Sequence, residues 1–254
     1  MSSDLVYENG GYRIDFSDLE EKLSDGQTSL MILCNPHNPV GKIWTREELA
    51  RIGALCKKYS VTVISDEIHC DMLEPGRSYT PFLSASEDCA DISITCLSGS
   101  KTFNIAGLQS ACIVAKNPAL RHKIWRAVNT DEVGEPNAFA MPANIAAFNE
   151  GDEWCDALCE YLFENRRVAE EFIKKEIPEL FAVHGEATYL LWVDISAVAE
   201  DSVLFSAQLR EKTGLFVSDG AEYGEPGRKF IRVNLATQRE RLLDGLSRLK
   251  KMLS

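Results

Sequence analysis

The sequence predicts an α/β fold in two parts, a large domain on a mainly parallel sheet and a smaller C-terminal α+β domain. Short apolar runs alternate with helical patterns through the first two-thirds of the 254 residues. Beyond Pro178, strands and helices continue without regular βαβ alternation. We place the boundary inside a long helical segment, which gives domains of residues 1–165 and 166–254.

Four apolar runs in the first part are predicted strands, at residues 28–34, 61–65, 92–97 and 110–115. A helix is expected over residues 45–59, because Thr45 and Glu48 have the spacing of a capping box at its start. Another helix follows from Pro118 to about Val128. Strands separated by helices in this way indicate parallel pairing with helical crossovers.

The pattern changes after the turn-forming residues 131–137. Residues 138–176 are predicted helices with a break near Gly151. The C-terminal part is predicted to contain strand 187–195, helix 202–213, a glycine-rich loop at 218–227, strand 229–235 and helix 238–253.

Composition narrows the functional classes. The formal charge of −12 disfavours a nucleic-acid partner, which normally meets a basic surface. No apolar run reaches the length of a membrane span, so we expect no membrane partner and a cytoplasmic location. The eight cysteines include no Cys-x-x-Cys pair and the four histidines no helical ligand pair. Reduced thiols and no metal site are therefore expected.

Polar residues follow three of the predicted strands, where each strand ends. Residues 35–41 read NPHNPVG, residues 65–69 read SDEIH and residues 98–103 read SGSKTF. Because the carboxyl ends of parallel strands share one edge of a sheet, amide, carboxylate, hydroxyl and amine groups would converge there. The sequence therefore predicts a ligand site at this edge.

Each of these residues also has a simpler interpretation. Lys101 alone is typical of a solvated charge, and Asp66 is a favoured helix N-cap. Asn35 and Asn38, beside prolines, are typical turn residues. Since the simpler interpretations would have to coincide at three strand ends, we favour the site.

The strings NPHNPVG, SDEIH, SGSKTFNIAGL and FIRVNLA occur in the order and spacing of a known series. They resemble the signatures of aminotransferases that depend on pyridoxal 5'-phosphate (PLP) and have the aspartate aminotransferase fold, fold type I. The resemblance covers essentially the whole chain. His69 and the run SKTFNIAGLQ resemble the cystathionine β-lyase branch, the PatB-type C–S lyases, since ordinary transaminases usually have tyrosine at that position.

The resemblance assigns the cofactor residues as follows. Lys101 corresponds to the lysine that holds PLP as a Schiff base. Asp66 corresponds to the carboxylate that pairs with the protonated pyridine nitrogen and keeps the ring an electron sink. Asn38 corresponds to the amide that hydrogen-bonds the ring hydroxyl.

Four further roles are implied in the same way. Ser98 and Ser100 correspond to hydroxyls that contact the phosphate. Arg232 corresponds to the arginine that binds the substrate α-carboxylate, for which its planar fork is suited. His69 follows Asp66 by one helical turn, so it either supports the ring or only fills space.

Two departures from the family pattern stand out. Transaminases often have a phosphate-binding arginine eight residues beyond the lysine, where this chain has Gln109. The family's N-terminal part, with its glycine-containing phosphate loop and an aromatic that stacks on the ring, has no counterpart in this sequence. We therefore expect the sequence to correspond to a homologue cut partway through its large domain.

The resemblance implies a PLP-dependent C–S β-lyase that cleaves cystathionine or related cysteine S-conjugates to a thiol, pyruvate and ammonia. It also implies a homodimer with an amino acid as substrate. An aminotransferase that uses the same residues is the nearest alternative. An alternative of another class is a non-catalytic or regulatory module with the PLP fold.

Overall fold

A computed structural model of the chain describes residues 1–253, whose strands form a short hairpin and two four-stranded sheets. In chain order the strands are β1 Val6–Glu8, β2 Gly11–Arg13, β3 Leu30–Cys34, β4 Thr62–Asp66, β5 Ser93–Leu97, β6 Cys112–Val114, β7 Phe181–Val183, β8 Leu190–Asp194, β9 Ser218–Asp219 and β10 Phe230–Asn234. The helices are α1 Phe16–Leu23, α2 Arg46–Lys58, α3 Phe82–Ala85, α4 Glu87–Ile92, α5 Gly99–Thr102, α6 Pro118–Thr130, α7 Ala140–Glu150, α8 Asp152–Glu176, α9 Ser202–Thr213 and α10 Arg239–Leu253.

The first sheet has the order β3-β4-β5-β6 and mixed pairing. Strands β3, β4 and β5 pair in parallel, and β6 runs antiparallel to β5. The segment between β5 and β6 contains the single-turn helix α5 and no full helical crossover, so the chain returns in the opposite direction. The predicted α/β class is confirmed, and the fourth predicted strand is the antiparallel member.

The second sheet has the order β7-β8-β10-β9 and is antiparallel throughout. Helices α8, α9 and α10 supply its core, together with inward residues of β8 and β10. Its buried members include Ile173, Leu191, Leu209, Ile231 and Leu246. We call residues of the first sheet and its helices α1 to α7 the first region, and residues 177–253 the second region.

The first region has its own core between the sheet and helices α1, α2 and α4. Trp44, Leu49, Ile52, Val63 and Phe82 are at most 2% exposed there. Helix α2 begins with the predicted capping box, in which Thr45 Oγ1 accepts from the Glu48 amide at 3.1 Å and Glu48 Oε2 accepts from the Thr45 amide at 2.8 Å. Helix α1, the β1–β2 hairpin and β7 are short and were not predicted from the sequence.

Helix α8 and the segment before β8 join the two regions. Arg166 of α8 is 2% exposed, and its Nη2 donates to the carbonyls of Ala187, Thr188 and Leu190 at 3.4, 3.2 and 2.8 Å. The carbonyl of Gly41 accepts from the Ala187 amide at 2.9 Å. The close approach requires glycine, since a Cβ at position 41 would lie 2.6 Å from the Ala187 oxygen.

Helix α8 runs without interruption through the predicted boundary at residue 165, which stays a prediction. No helix in the described part of the chain combines the length and apolar character that a membrane crossing requires.

Candidate active site

The carboxyl ends of β3, β4 and β5 form one edge, as the polar motifs predict. Asp66 is the last residue of β4, and its Cα pairs with Cys34 on one side and Cys96 on the other. The Asn35 amide donates to the Asp66 carbonyl at 2.9 Å, and the Glu67 amide donates to the Cys96 carbonyl at 2.9 Å. These bonds fix the position of Asp66 between its neighbours.

Lys101 lies on the short helix α5, directly after β5. Ser98 is the N-cap of this helix, since its Oγ accepts from the Ser100 amide at 3.1 Å and donates to the Ser110 carbonyl at 2.8 Å. At the other end, Thr102 Oγ1 donates to Asp71 at 2.9 Å. The backbone around Lys101 is therefore held at both ends of the helix.

Arg232 reaches this edge from β10 of the second region. Its Nη1 donates to Asn38 Oδ1 at 3.3 Å, and its Nη2 donates to Ser218 Oγ at 3.2 Å. The ring centroid of Tyr223 lies 5.1 Å from the guanidinium carbon, a cation–π contact. The antiparallel register of β10 and β9 places Ser218 opposite Arg232. Two residues distant in sequence, Asn38 and Arg232, are thus in direct contact.

His69 lies among these charged groups. It is 5% exposed and makes an edge contact with Tyr189 at 5.6 Å between ring centroids. Burial, together with the smaller effect of the positive charges of Lys101 and Arg232, lowers the pKa of His69 to about 4. The imidazole is therefore neutral at pH 7. Its Nδ1 is buried and has no hydrogen-bond partner among residues 1–253.

The buried carboxylate of Glu67 lies directly after β4 and binds several groups near this edge of the sheet. Glu67 is 0% exposed, and its Oε1 accepts from Ser65 Oγ at 2.7 Å and from the Phe82 amide at 2.9 Å. Its other oxygen accepts from the Tyr79 hydroxyl, and this partner raises the Tyr79 pKa in the same direction as burial, which is the larger cause. Glu67 therefore ties the segment near residue 80 to the end of β4.

A cavity of about 430 Å³ opens beside Lys101, between α5, α8 and the end of β10. Its wall consists of Met72, Ser100, Lys101, Thr102, Asn104, Ala106, Trp154, Leu158, Tyr161, Leu162, Tyr189, Asn234, Ala236 and Thr237. A larger cavity, of about 810 Å³, lies between the N-terminal residues and β3 and includes none of the predicted site residues. The cavity beside Lys101 is therefore the one relevant to the site.

The predicted residues thus fall into three groups. Asn38 and Arg232 are in contact, and Lys101 and Arg232 both act electrostatically on His69. Ser98 and Ser100 are the N-cap and second residue of α5. Asp66 makes no hydrogen bond or ion pair with the other predicted residues within 1–253, and its Oδ1 accepts from the Ile68 amide at 3.3 Å.

Three residues that contact the site, Tyr189, Ser218 and Tyr223, were not predicted from the sequence. Tyr189 directly precedes β8. Burial raises the pKa of Tyr189, and the positive charge of Arg232 offsets only part of that rise. Ser218 belongs to a strand of two residues, too short for an alternating pattern. Within residues 1–253, no group of three or more His, Cys, Asp or Glu side chains is arranged to hold a metal ion.

Comparison with known proteins defines the class first. Cystalysin from Treponema denticola, whose structure contains PLP, is 33% identical with a TM-score of 0.94 over 100% of this chain and 64% of its own. A PLP-bound C–S lyase from Staphylococcus hominis is 36% identical, with a TM-score of 0.91 over 99% of this chain and 64% of its own. The fold is that of the PLP-dependent fold type I enzymes.

The family model for aminotransferase class I and II matches residues 5–249, and the chain belongs to this family. Among curated proteins, cystathionine beta-lyase PatB of Bacillus subtilis is 42% identical over all 254 residues. The alignment covers 66% of that protein, so the chain spans just under two thirds of the length of the relatives it matches. The resemblance stated from the motifs is confirmed at the level of the family and of its C–S lyase relatives.

Proposed function

We propose that this chain carries the substrate-activating residues of a PLP-dependent C–S β-lyase, acting on cystathionine or a related cysteine S-conjugate. The observation that supports it most is the meeting of Lys101, Arg232 and neutral His69 at one edge of the sheet. The similarity to cystathionine beta-lyase PatB and to C–S lyases of known structure agrees with this chemistry.

The residues at this edge fit PLP. The Nδ1 of His69 is buried without a hydrogen-bond partner among residues 1–253, and a polar cofactor would supply one. Asp66 at the end of β4 would pair with the pyridine nitrogen, and Asn38 would hydrogen-bond the ring hydroxyl. Lys101 would hold the cofactor covalently, and Ser98 and Ser100 would contact its phosphate.

The chain's own residues then account for the steps around the substrate. Arg232 binds the α-carboxylate through its planar guanidinium, already oriented by Asn38 and Ser218. PLP, when bound, withdraws electrons from the substrate Cα and so acidifies its proton. Once the substrate amine has displaced Lys101 from the cofactor, the freed Lys101 Nζ would remove that proton, and the thiolate would leave from Cβ. One water is consumed overall, and the products are thiol, pyruvate and ammonia.

The neutral state of His69 matters for this arrangement. A protonated imidazole would add a third positive charge beside Lys101 and Arg232 and would compete for the substrate carboxylate. Because burial keeps His69 neutral above about pH 4, it leaves the carboxylate to Arg232 alone.

The test is production of pyruvate by the purified protein with PLP and L-cystathionine, followed with lactate dehydrogenase and NADH. We expect pyruvate from the native protein. Lys101→Ala should lower the rate of pyruvate production by roughly 1000-fold or more. Lys116→Ala is the matched control, since Lys116 is an exposed lysine paired with Glu87. Absence of pyruvate from the native protein would refute the lyase assignment.

Aminotransfer is a second candidate, because the family as a whole is that of the class I and II aminotransferases. Adding a keto acid to the same reaction separates the two activities. A new amino acid without pyruvate would establish the transferase. A protein with no PLP absorbance band in either case would instead be a non-catalytic module with the same fold.

We further propose a cytoplasmic homodimer. Several large apolar side chains on α6 and α7 are exposed in the single chain, which favours their burial against more protein. They are Trp125, Met141, Ile145 and Phe148, each more than half exposed. Light scattering after gel filtration measures the assembly, and a monomer with these residues in solvent would contradict the dimer.

A further inference from the structure

The cavity beside Lys101 has a wall that the proposed catalytic steps leave unused. Of the predicted site residues only Ser100 and Lys101 contribute to it. The rest of the wall comes from Met72, from the end of α5 and the residues after it, from α8, from Tyr189 and from the end of β10 and the residues after it. We propose that this cavity binds the sulfur substituent of the substrate and selects uncharged apolar or aromatic groups over the charged end of cystathionine.

The direction of β10 places the cavity at a suitable distance from the carboxylate site. Arg232 and Asn234 are two positions apart on the strand, so their side chains lie on the same face, about 7 Å apart. Arg232 would hold the α-carboxylate, whereas Asn234 lines the cavity. Lys101, which would act at Cα, also lines it. A substrate held at Arg232 and Lys101 therefore has the cavity within reach of its Cβ substituent.

The wall opposite Lys101 is apolar and aromatic. Helix α8 contributes four side chains to this part of the wall, from Trp154, Leu158, Tyr161 and Leu162. Met72 also lines the cavity. Trp154 stacks on Phe103, with 5.8 Å between ring centroids, which fixes its indole at the rim. Alkyl and aryl substituents bind favourably to such a surface, because binding removes apolar area from water.

The polar part of the wall is uncharged apart from Lys101. It consists of hydroxyls and amides, from Ser100, Thr102, Asn104, Asn234 and Thr237. Among residues 1–253 no carboxylate lines the cavity, so its wall offers an ammonium group no anionic partner. The distal end of cystathionine carries both an ammonium and a carboxylate, and both would lose water on entering.

The charged residue Arg239, which contacts the wall residue Tyr161, is paired with a carboxylate. The Tyr161 hydroxyl accepts from the Arg239 amide at 2.9 Å, and the guanidinium lies 5.6 Å from the Tyr161 ring. Arg239 Nη1 is 3.6 Å from a Glu164 oxygen, and its Nε donates to Asn165. Neither Arg239 nor Glu164 lines the cavity.

This inference rests on the proposed lyase function, and the experiment distinguishes the two. The purified holoenzyme is assayed for pyruvate with S-benzyl-L-cysteine and with L-cystathionine. We expect kcat/KM for the benzyl compound to exceed that for cystathionine by about tenfold or more, mainly through KM. Equal values, or a preference for cystathionine, would overturn the selectivity while leaving the lyase function standing. No pyruvate from either compound would overturn the lyase function itself.

A charge placed in the wall tests the location. Leu158→Glu supplies an anion for the distal ammonium of cystathionine. It should lower the ratio of kcat/KM for the benzyl compound to kcat/KM for cystathionine by roughly fivefold or more. Ala157→Glu is the matched control, because Ala157 is the adjacent exposed residue on α8 and does not line the cavity. An equal change in both variants would show that the substituent binds elsewhere.

A second variant covers the case in which Leu158→Glu does not fold. Trp154 is 49% exposed, so Trp154→Glu introduces the same charge at the rim with less effect on the core. It should shift the preference in the same direction. An unchanged ratio with circular dichroism like that of the native protein would overturn the proposed position of the subsite.

Discussion

The two regions differ in how completely they bury their own apolar residues. In the second region, four of the five residues of β8 are buried, and three helices cover the sheet. In the first region all three residues of β6 are exposed, and α6 has no buried residue. Ile32 of the edge strand β3 is 69% exposed.

The region with the more completely buried core is not the region that carries most of the proposed site residues. The second region holds Arg232 on a sheet that is covered by its own helices, which is what a fixed carboxylate site requires. The first region carries Asp66, His69 and Lys101, and its exposed apolar faces are of the kind that mark contact surfaces. The residues proposed to react therefore lie in the region whose apolar faces are less completely covered.

The largest expected effect tests this contrast in burial. Leu191 is 0% exposed in the core of the second region, so Leu191→Ala should lower the free energy of unfolding by about 3 kcal/mol. Ile113→Ala on β6, where the side chain is 44% exposed, should cost less than about 1 kcal/mol. Urea unfolding followed by circular dichroism measures both. Equal losses would mean that β6 is covered in solution.

The second prediction concerns acid. Burial lowers the pKa of His37 and of His69 to about 4, while the unfolded chain takes up these protons near pH 6.5. The unfolded state therefore binds more protons between these values, and stability falls as the pH drops from 6.5 to about 4. At pH 4.5 each of these two histidines should lower the free energy of unfolding by on the order of 2 kcal/mol relative to pH 7.

Urea unfolding at pH 7 and pH 4.5 tests it. His37→Gln or His69→Gln should reduce the acid loss, and His122→Gln, at an exposed position of α6, should not. His184 in the second region acts in the opposite sense, because Glu170 raises its pKa and acid favours the folded form. Removing His184 should therefore enlarge the acid loss, and a decrease would contradict the difference between the regions.

The smallest effect should be the same in both regions. Thr45 caps α2 in the first region and Asp201 caps α9 in the second, each by accepting from a backbone amide. Thr45→Ala and Asp201→Ala should each lower the unfolding free energy by about 1 kcal/mol. Thermal unfolding measures both changes. A cap that matters in only one region would show that the regions unfold independently.

Much of the fold was predictable because its signals are local. Helix α9 has the predicted bounds, since Asp201 caps its start and Gly214 ends it with a left-handed backbone. The edge that carries Asn38, Asp66 and Lys101 was predictable from polar motifs at successive strand ends. The direction of β6 was not, because it depends on the path of a connection and not on residue pattern.

The site was predictable only in part. Its motif residues are adjacent in sequence to strands, whereas Ser218 and Tyr223 reach Arg232 through the pairing of β9 with β10. Glu67 was within a recognised motif, yet its partners Tyr79 and Phe82 come from a loop whose fold the sequence pattern does not define. Contacts set by register and by loop geometry need coordinates.

Helix α8 gives the two regions a common mechanical element. Its 25 residues span about 37 Å without a break. The first half presents Trp154, Leu158 and Tyr161 to the cavity, and the second half places Ala169 and Ile173 in the core of the second region. Because the helix is continuous, a rotation of that core would move the residues of the cavity wall with it. The shape of the cavity is therefore coupled to the packing of the second region.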